Sequence, residues 1–144
     1  MTPTELHTLV RGWWEQMRDI ARAATQGPWF ATPTMTVRTK SSLRSSPLVA
    51  ECFNPRSTAH IAAFDPAFAI AVCEAALERL DRHAPAWPIG YDDVTEASCT
   101  TCIEQLPDGE YSVPNWPCVE FLADAAPFRT RPNFPEELSR DQLR

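Results

Sequence analysis

The chain has 144 residues, a length that suits one domain and leaves little room for a second. Its formal net charge of −6, from 13 basic and 19 acidic residues, opposes binding to the phosphates of a nucleic acid. The four glycines are scattered along the chain, so a glycine-rich phosphate-binding loop is excluded.

The N-terminal segment MTPTELHTLVRGWWEQ has early acidic residues and no continuous apolar core, so we expect no secretory signal and a mature chain that starts at Met1. The longest unbroken apolar run, from Ala67 to Cys73, is far shorter than the roughly 20 residues that cross a bilayer. Only Lys40 is lysine, and alanine and proline are abundant, which is typical of a high-GC bacterium or its phage. We therefore expect a cytoplasmic protein of a bacterial cell.

Apolar residues recur at alternating steps of four and three from Thr4 to about Thr25, which predicts an amphipathic helix. The stripe, which we expect to be a core face, consists of Leu6, Val10, Trp13, Met17, Ile20 and Ala24. Trp13 and Trp14 are adjacent and point about 100° apart on a helix. We expect Trp14 at the rim of the core, where it and Leu9 are placed to anchor a partner protein or a second copy.

Residues 29–39 alternate between apolar and polar side chains, which predicts a half-buried strand. A polar segment follows, and then the β-rich run LVAECF, so the two runs predict a small antiparallel sheet. Ser57 is predicted to cap a short helical turn. Asp65 and Pro66 then predict the start of a long helix that ends near His83, with these residues available for packing: Phe68, Val72, Ala75, Ala76 and Leu80.

Helical periodicity fades after Pro85, and the sequence predicts loops with a small hairpin across Asp108 and Gly109. Pro117 then opens a predicted short helix, CVEFLADAA. The fold class is α+β. We expect one compact domain over residues 1–128, stabilised by a metal over about residues 83–124, and a proline-rich, polar tail over residues 129–144.

Three cysteines lie in the loop region, where other means of ordering the chain are few. Cys99 and Cys102 form a C-x-x-C pair, whose two thiolates can occupy adjacent corners of a zinc tetrahedron without strain. Cys118 precedes the last helix, where helix-terminal amides favour a thiolate. His83, at the end of the long helix, completes a predicted structural zinc site. The weaker alternatives for the fourth ligand are Asp92, Asp93 and Cys73.

Two other interpretations of the cysteines remain open. The first treats all three as small buried apolar residues, since free cysteine is often buried. The second is a redox pair, although redox C-x-x-C motifs normally open a helix after a strand, a setting that EASCTTCIEQ lacks. Cys52 and Cys73 are most simply core residues.

Catalysis has few candidates. His60 lies near Asp65 and Glu51 in the sequence, as a general base with carboxylate partners requires, but no nucleophile accompanies it. A histidine on a short amphipathic turn is more often a packing or capping residue. His7, beside Glu5, has no stronger case.

Several motifs together resemble a family of small proteins of actinobacteria and their phages: AATQGPW, VAECF, AHIAAFDPAFAIAVCEAALERLDRH, CTTC and NWPCVEFLADA. The first half also resembles the Ead-like accessory proteins of tailed phages. The resemblance implies origin more than activity, and it implies that His83 and the three cysteines act together. The chain departs from the pattern in the loop between Thr39 and Pro47 and in its proline-rich end, either of which is a place for a specific binding surface.

The sequence favours a non-enzymatic, zinc-stabilised binding module, an accessory protein that acts by contact with a host protein or with itself. One alternative is a metal-dependent hydrolase whose zinc keeps an open position for water. Three thiolates argue against it, because they weaken the Lewis acidity of the metal. A second alternative is a nucleic-acid-binding zinc module, which the acidic charge opposes although the tail is locally basic.

Overall fold

The computed structural model describes residues 1–39, 46–87, 97–99, 101–102, 104–105, 107, 109, 111–112 and 115–139. Residues 15–75 form one compact unit, and residues 1–14 with 76–144 form another. The helices are α1 (Pro3–Ala23), α2 (Pro55–Ala63), α3 (Pro66–Arg82), α4 (Val119–Ala125) and α5 (Glu136–Ser139). The strands are β1 (Phe30–Ala31), β2 (Thr36–Arg38), β3 (Leu48–Glu51), β4 (Glu104–Gln105) and β5 (Tyr111–Ser112). The predicted α+β class is confirmed.

Capping residues fix the starts of the three longer helices. Thr2 and Glu5 exchange backbone-to-side-chain hydrogen bonds at the start of α1, a capping box. Asp65 Oδ1 accepts the Phe68 backbone N–H at 2.9 Å, which confirms the predicted start of α3. The prediction for α2 was wrong in its cap, because Asn54 rather than Ser57 is the N-cap and its Oδ1 accepts the Ser57 backbone N–H at 2.8 Å.

The unit of residues 15–75 contains a three-stranded antiparallel sheet in the order β1-β2-β3. Ala31 pairs with Val37, and Val37 pairs with Ala50, with an irregularity between Val37 and Arg38. Val37 is fully buried, and α2 packs against β1 and β2. The predicted antiparallel sheet is therefore present.

The single strand predicted over residues 29–39 was wrong. The chain folds back after Ala31 and returns as β2, with a Met35 N–H to Thr32 carbonyl hydrogen bond of 3.1 Å inside the turn. Pro33 lacks a backbone N–H and cannot complete a continuous ladder, whereas it is well suited to a turn. Met35 has a positive φ of 57°, as a tight reversal requires.

The unit of residues 1–14 and 76–144 has the larger apolar core. Val10, Leu80 and Phe121 are fully buried in this core. Leu9 and Trp14 are partly buried and pack against it. The small hairpin predicted across residues 108 and 109 is present as β4 paired with β5, and Gly109 has a φ of +87° between them. Glycine adopts that conformation without the penalty that a Cβ would bring.

The predicted core stripe of α1 is only half correct. Leu6, Val10 and Trp13 are buried, whereas Met17 and Ile20 remain 41% and 58% exposed. Periodicity identifies the apolar face of a helix but not the element that covers it. The packing set predicted for α3 divides in the same way: Ala76 and Leu80 are buried, and Phe68, Val72 and Ala75 are exposed.

Residues 129–139 of the proline-rich tail belong to the described part of the chain. Phe134 stacks on Trp13 with 6.0 Å between ring centroids, and Leu138 is buried. Arg131 lies 5.7 Å from the centre of the Trp13 ring, a cation–π contact. The division into a 1–128 domain and a 129–144 tail stays a prediction.

Candidate metal centre

Three separate segments of the chain meet where the long helix α3 ends. Ala86 and Ser98 exchange two backbone hydrogen bonds of 2.8 and 3.0 Å, and Ser98 also forms an antiparallel bridge with Asn115. His83 lies three residues before Ala86, Cys99 follows Ser98, and Cys118 lies three residues after Asn115. This short ladder therefore brings a potential metal ligand from each segment to one point.

The structure brings the four predicted ligands together. The Nδ1 atom of His83 lies 3.4 Å from Cys99 Sγ, 3.2 Å from Cys102 Sγ and 3.5 Å from Cys118 Sγ. All four donor atoms lie within 4.8 Å of one another. A tetrahedron with Zn–N of about 2.0–2.1 Å and Zn–S of about 2.3 Å has N-to-S edges of about 3.6 Å. The donor group is thus positioned to bind a metal ion.

The site is shielded from solvent. His83, Cys99 and Cys118 are buried, and Cys102 is half-buried. Burial, followed by hydrogen bonding to Cys99 and Cys118, raises the pKa of the Cys102 thiol to about 12. Burial likewise raises the pKa of Cys118. Thiolates at such a site need a compensating positive charge, which a metal ion supplies.

Two residues that the sequence did not identify hold the ligand segments in place. The indole Nε1–H of Trp116 donates to the backbone carbonyl of His83 at 2.9 Å. The Trp116 ring packs on the ring of Phe121, with 4.5 Å between the ring centroids. The hydroxyl of Thr101 donates to the carbonyl of Arg82. Both bonds satisfy carbonyls that the end of α3 leaves without helical partners. The WPC motif contained the signal for Trp116, directly before the proline and the ligand.

The other cysteine interpretations fit the geometry less well. A reactive redox pair needs a lowered thiol pKa, whereas the pKa of Cys102 is raised. Three cysteines that served only as core residues would not require a histidine nitrogen within 3.5 Å of each sulfur. Cys73 is buried, as predicted for a core residue, but it is outside the donor group, and Cys52 is half-buried. Asp92 and Asp93 lie outside the described residues.

The remaining histidines have packing roles in the structure. His60 is exposed on α2, and its ring lies 4.8 Å from the ring of Phe64. His7 Nε2 donates to the carbonyl of Leu80 at 3.0 Å. The expectation that neither is a catalytic base stays a prediction.

Trp14 lies at the rim of its core, half-buried. Its Nε1–H donates to the backbone carbonyl of Asp124 at 3.0 Å, and its ring meets the edge of Phe128 at 5.0 Å. Both ends of the indole are thus engaged within the same unit. A role for Trp14 as a partner anchor stays a prediction.

No single helix in the described ranges has the length and apolar character to cross a membrane, although α2 and α3, bent by 54°, meet that test as a pair. Comparisons with models of known protein families, with curated proteins and with solved structures give no match for this chain. The functional argument therefore rests on the donor group itself.

Proposed function

We propose that the donor group holds one structural zinc ion and that the chain is a non-enzymatic binding module. The observation that carries the proposal is the convergence of three cysteine sulfurs and one histidine nitrogen within 4.8 Å. Soft thiolates with an imidazole suit zinc, and a Cys₃His set is a frequent structural zinc site. Calcium and magnesium prefer oxygen ligands, which the group lacks.

The same donor set favours a structural ion over a hydrolytic one. A catalytic zinc keeps one position open for water, whereas four protein donors complete the tetrahedron. Three thiolates also place negative charge on the metal, which reduces its capacity to polarise a substrate. The ion would instead hold the end of α3, the Cys99–Cys102 segment and the start of α4 together.

The module acts by contact with another protein chain. The net charge of −6 supports a protein rather than a nucleic acid as the partner. Large apolar side chains at the surface, among them Ile20 and Phe68, offer area for such a contact. The resemblance to actinobacterial and actinophage proteins makes a host protein one candidate partner, and an accessory role in host takeover or counter-defence follows from it.

The zinc test compares ligand and control variants. Protein purified under reducing conditions without added metal should contain about one zinc per chain, because the donors form a single tetrahedral site. Cys102→Ser and His83→Ala should each lower the zinc content. Cys52→Ser and His60→Ala, which change the same residue types outside the donor group, should retain it.

A cobalt-saturated sample adds a spectroscopic test of thiolate ligation. Thiolate-to-cobalt charge-transfer absorption should be intense in the parent and weaker by about one third in Cys102→Ser, as expected for the loss of one of three thiolates. Absence of zinc from the freshly purified parent, or equal zinc retention in all four variants, would refute the proposed metal site.

A further inference from the structure

An exposed apolar surface lies on the unit of residues 15–75. The donor group belongs to the other unit. We define the apolar patch by five side chains that are each 40% or more exposed: Met17, Ile20, Phe64, Phe68 and Val72. Phe64 and Phe68 meet edge to face at 5.3 Å, and Val72 follows Phe68 by one helical turn on α3. Phe64, Phe68 and Val72 are therefore contiguous, and Met17 and Ile20 join them because they share a pocket wall with Phe64.

A small pocket opens within the patch. Its volume is about 180 Å³, and its wall includes Met17, Ile20, Ala24, Trp29, Phe64 and Ala69. The one indole N–H in this wall is already bonded to the Thr25 carbonyl at 2.8 Å. Pockets for drug-sized ligands hold about 300–1,000 Å³, whereas a cavity of about 150 Å³ accommodates a single benzene ring. The pocket suits one apolar side chain.

The patch carries both halves of a self-complementary contact. Phe64 forms part of the pocket wall, and Phe68 beside it remains 48% exposed. A two-fold axis requires that one surface present the projecting group and its receptor together, so that each copy fills the pocket of the other. A second copy of the chain satisfies that requirement with residues already present.

The exposed area is sufficient for a weak dimer. From the exposed fractions and full side-chain areas of about 150–250 Å², the five patch residues expose about 500 Å² per chain. Two copies would bury about 1,000 Å², which is the lower bound for a specific interface. Small interfaces are typical of weak or transient complexes, so we expect a dissociation constant of about a micromolar or weaker.

The charge distribution identifies the same part of the chain. Residues 15–75 contain six Lys or Arg and five Asp or Glu, whereas the rest of the chain contains seven and fourteen. Two copies that met through the acidic part would repel each other, and two that met through residues 15–75 would not. Arg22 and Glu74, paired at 3.1 Å in this unit, offer charges of both signs.

We propose that the apolar patch is a two-fold self-association surface, so that the chain pairs with a second copy through Met17, Ile20, Phe64, Phe68 and Val72. The inference rests on the proposed function as a contact-based module and names the partner for this surface. It does not require the zinc site to take part.

Sedimentation velocity and light scattering of the zinc-loaded protein test the inference. Between about 1 and 500 μM the parent should pass from one to two times the 16.2 kDa chain mass. Phe68→Glu and Ile20→Glu should each weaken the dimer at least about 100-fold, because the two-fold axis places the new carboxylate in the interface twice. Phe53→Glu is the matched control, since Phe53 is fully exposed outside the patch, and it should dimerise like the parent.

Salt gives an independent readout. Added salt should not dissociate the dimer, because the contact is apolar and the meeting parts of the two chains, residues 15–75, are almost balanced in charge. The inference would be overturned by a parent that is monomeric throughout the range or by a dimer that survives both patch variants. It would also be overturned if the monomer bound anionic vesicles through the patch. Zinc content of the same samples separates the two proposals: a zinc-loaded monomer refutes only the dimer, and a metal-free dimer refutes only the zinc site.

Discussion

Removing Arg79 should destabilise the chain more than neutralising Asp124, although the two residues form one ion pair. Arg79 Nη2 donates to Asp124 Oδ1 at 2.6 Å, and Arg79 Nε donates to Asp124 Oδ2 at 3.2 Å. The carboxylate side chain is only 6% exposed, whereas the arginine side chain is 40% exposed. The partner that loses its counter-charge is therefore buried in one variant and solvated in the other.

The burial difference sets the magnitudes. Breaking a buried pair by removing one partner costs about 3–5 kcal/mol, because the other charge stays buried and uncompensated. Water can reach the vacated Arg79 position, so Arg79→Met should lower the free energy of unfolding by about 3 kcal/mol, at the low end of that range. Asp124→Asn keeps an oxygen acceptor for Arg79 and leaves a solvated cation, so its cost should be about 1 kcal/mol.

Urea denaturation at saturating zinc and constant pH measures both values. The two variants should share the parent slope and differ in midpoint, with Arg79→Met the lower. Methionine retains the apolar stem of arginine, so the difference reports the stranded charge rather than lost packing. Equal costs in the two variants, or a larger cost for Asp124→Asn, would show that the buried carboxylate is not the source of the effect.

Three further predictions concern other parts of the chain. Trp14→Phe should lower the free energy of unfolding by about 1 kcal/mol through the lost bond to the Asp124 carbonyl, and Trp14→Ala by about 3 kcal/mol, both measured by urea denaturation; a Trp14→Phe variant as stable as the parent would refute a contribution from the hydrogen bond. Asp65→Ala should cost about 1 kcal/mol and Asp65→Asn much less, because asparagine also caps a helix; thermal melts distinguish them. Protons compete with zinc for the thiolates, so lowering the pH should weaken zinc binding by at least about tenfold per pH unit, measured with a chromophoric chelator; pH-independent binding would contradict thiolate ligation by Cys102.

The sequence predicted which four side chains converge, because their signals are local. Each of three local motifs indicates a metal ligand without knowledge of the fold: a C-x-x-C pair, a proline-flanked cysteine and a histidine at a helix end. The start of α3 was also predictable from the sequence, because Asp65 caps a backbone N–H of the first turn and Pro66 lacks the N–H that would need a partner. The pairing of His83 with Cys99, 16 residues apart, was inferred from the need for a fourth ligand.

The failures occurred where tertiary packing decides. The polar alternation of residues 29–39 is common to a strand and to a hairpin whose turn contains Thr32 and Thr34, so the reversal was not visible in the periodicity. The exposure of Met17 and Ile20 depends on which elements fold over α1, which no window of its own sequence reports. The apolar patch was missed for the same reason: Met17, Ile20, Phe68 and Val72 were predicted to pack.

The spacing of the donor group has a consequence for chain entropy. Fifteen residues lie between His83 and Cys99, and another fifteen lie between Cys102 and Cys118. One ion that binds all four would close two loops at once, and a covalent cross-link over a loop of about 15 residues restricts the unfolded chain by about 3 kcal/mol. A single metal would then have to supply, from its binding energy to the folded chain, the entropy that two such cross-links would remove in advance, and a chelator could withdraw it. Convergence of the four donor residues would thus be governed by metal availability rather than by oxidation.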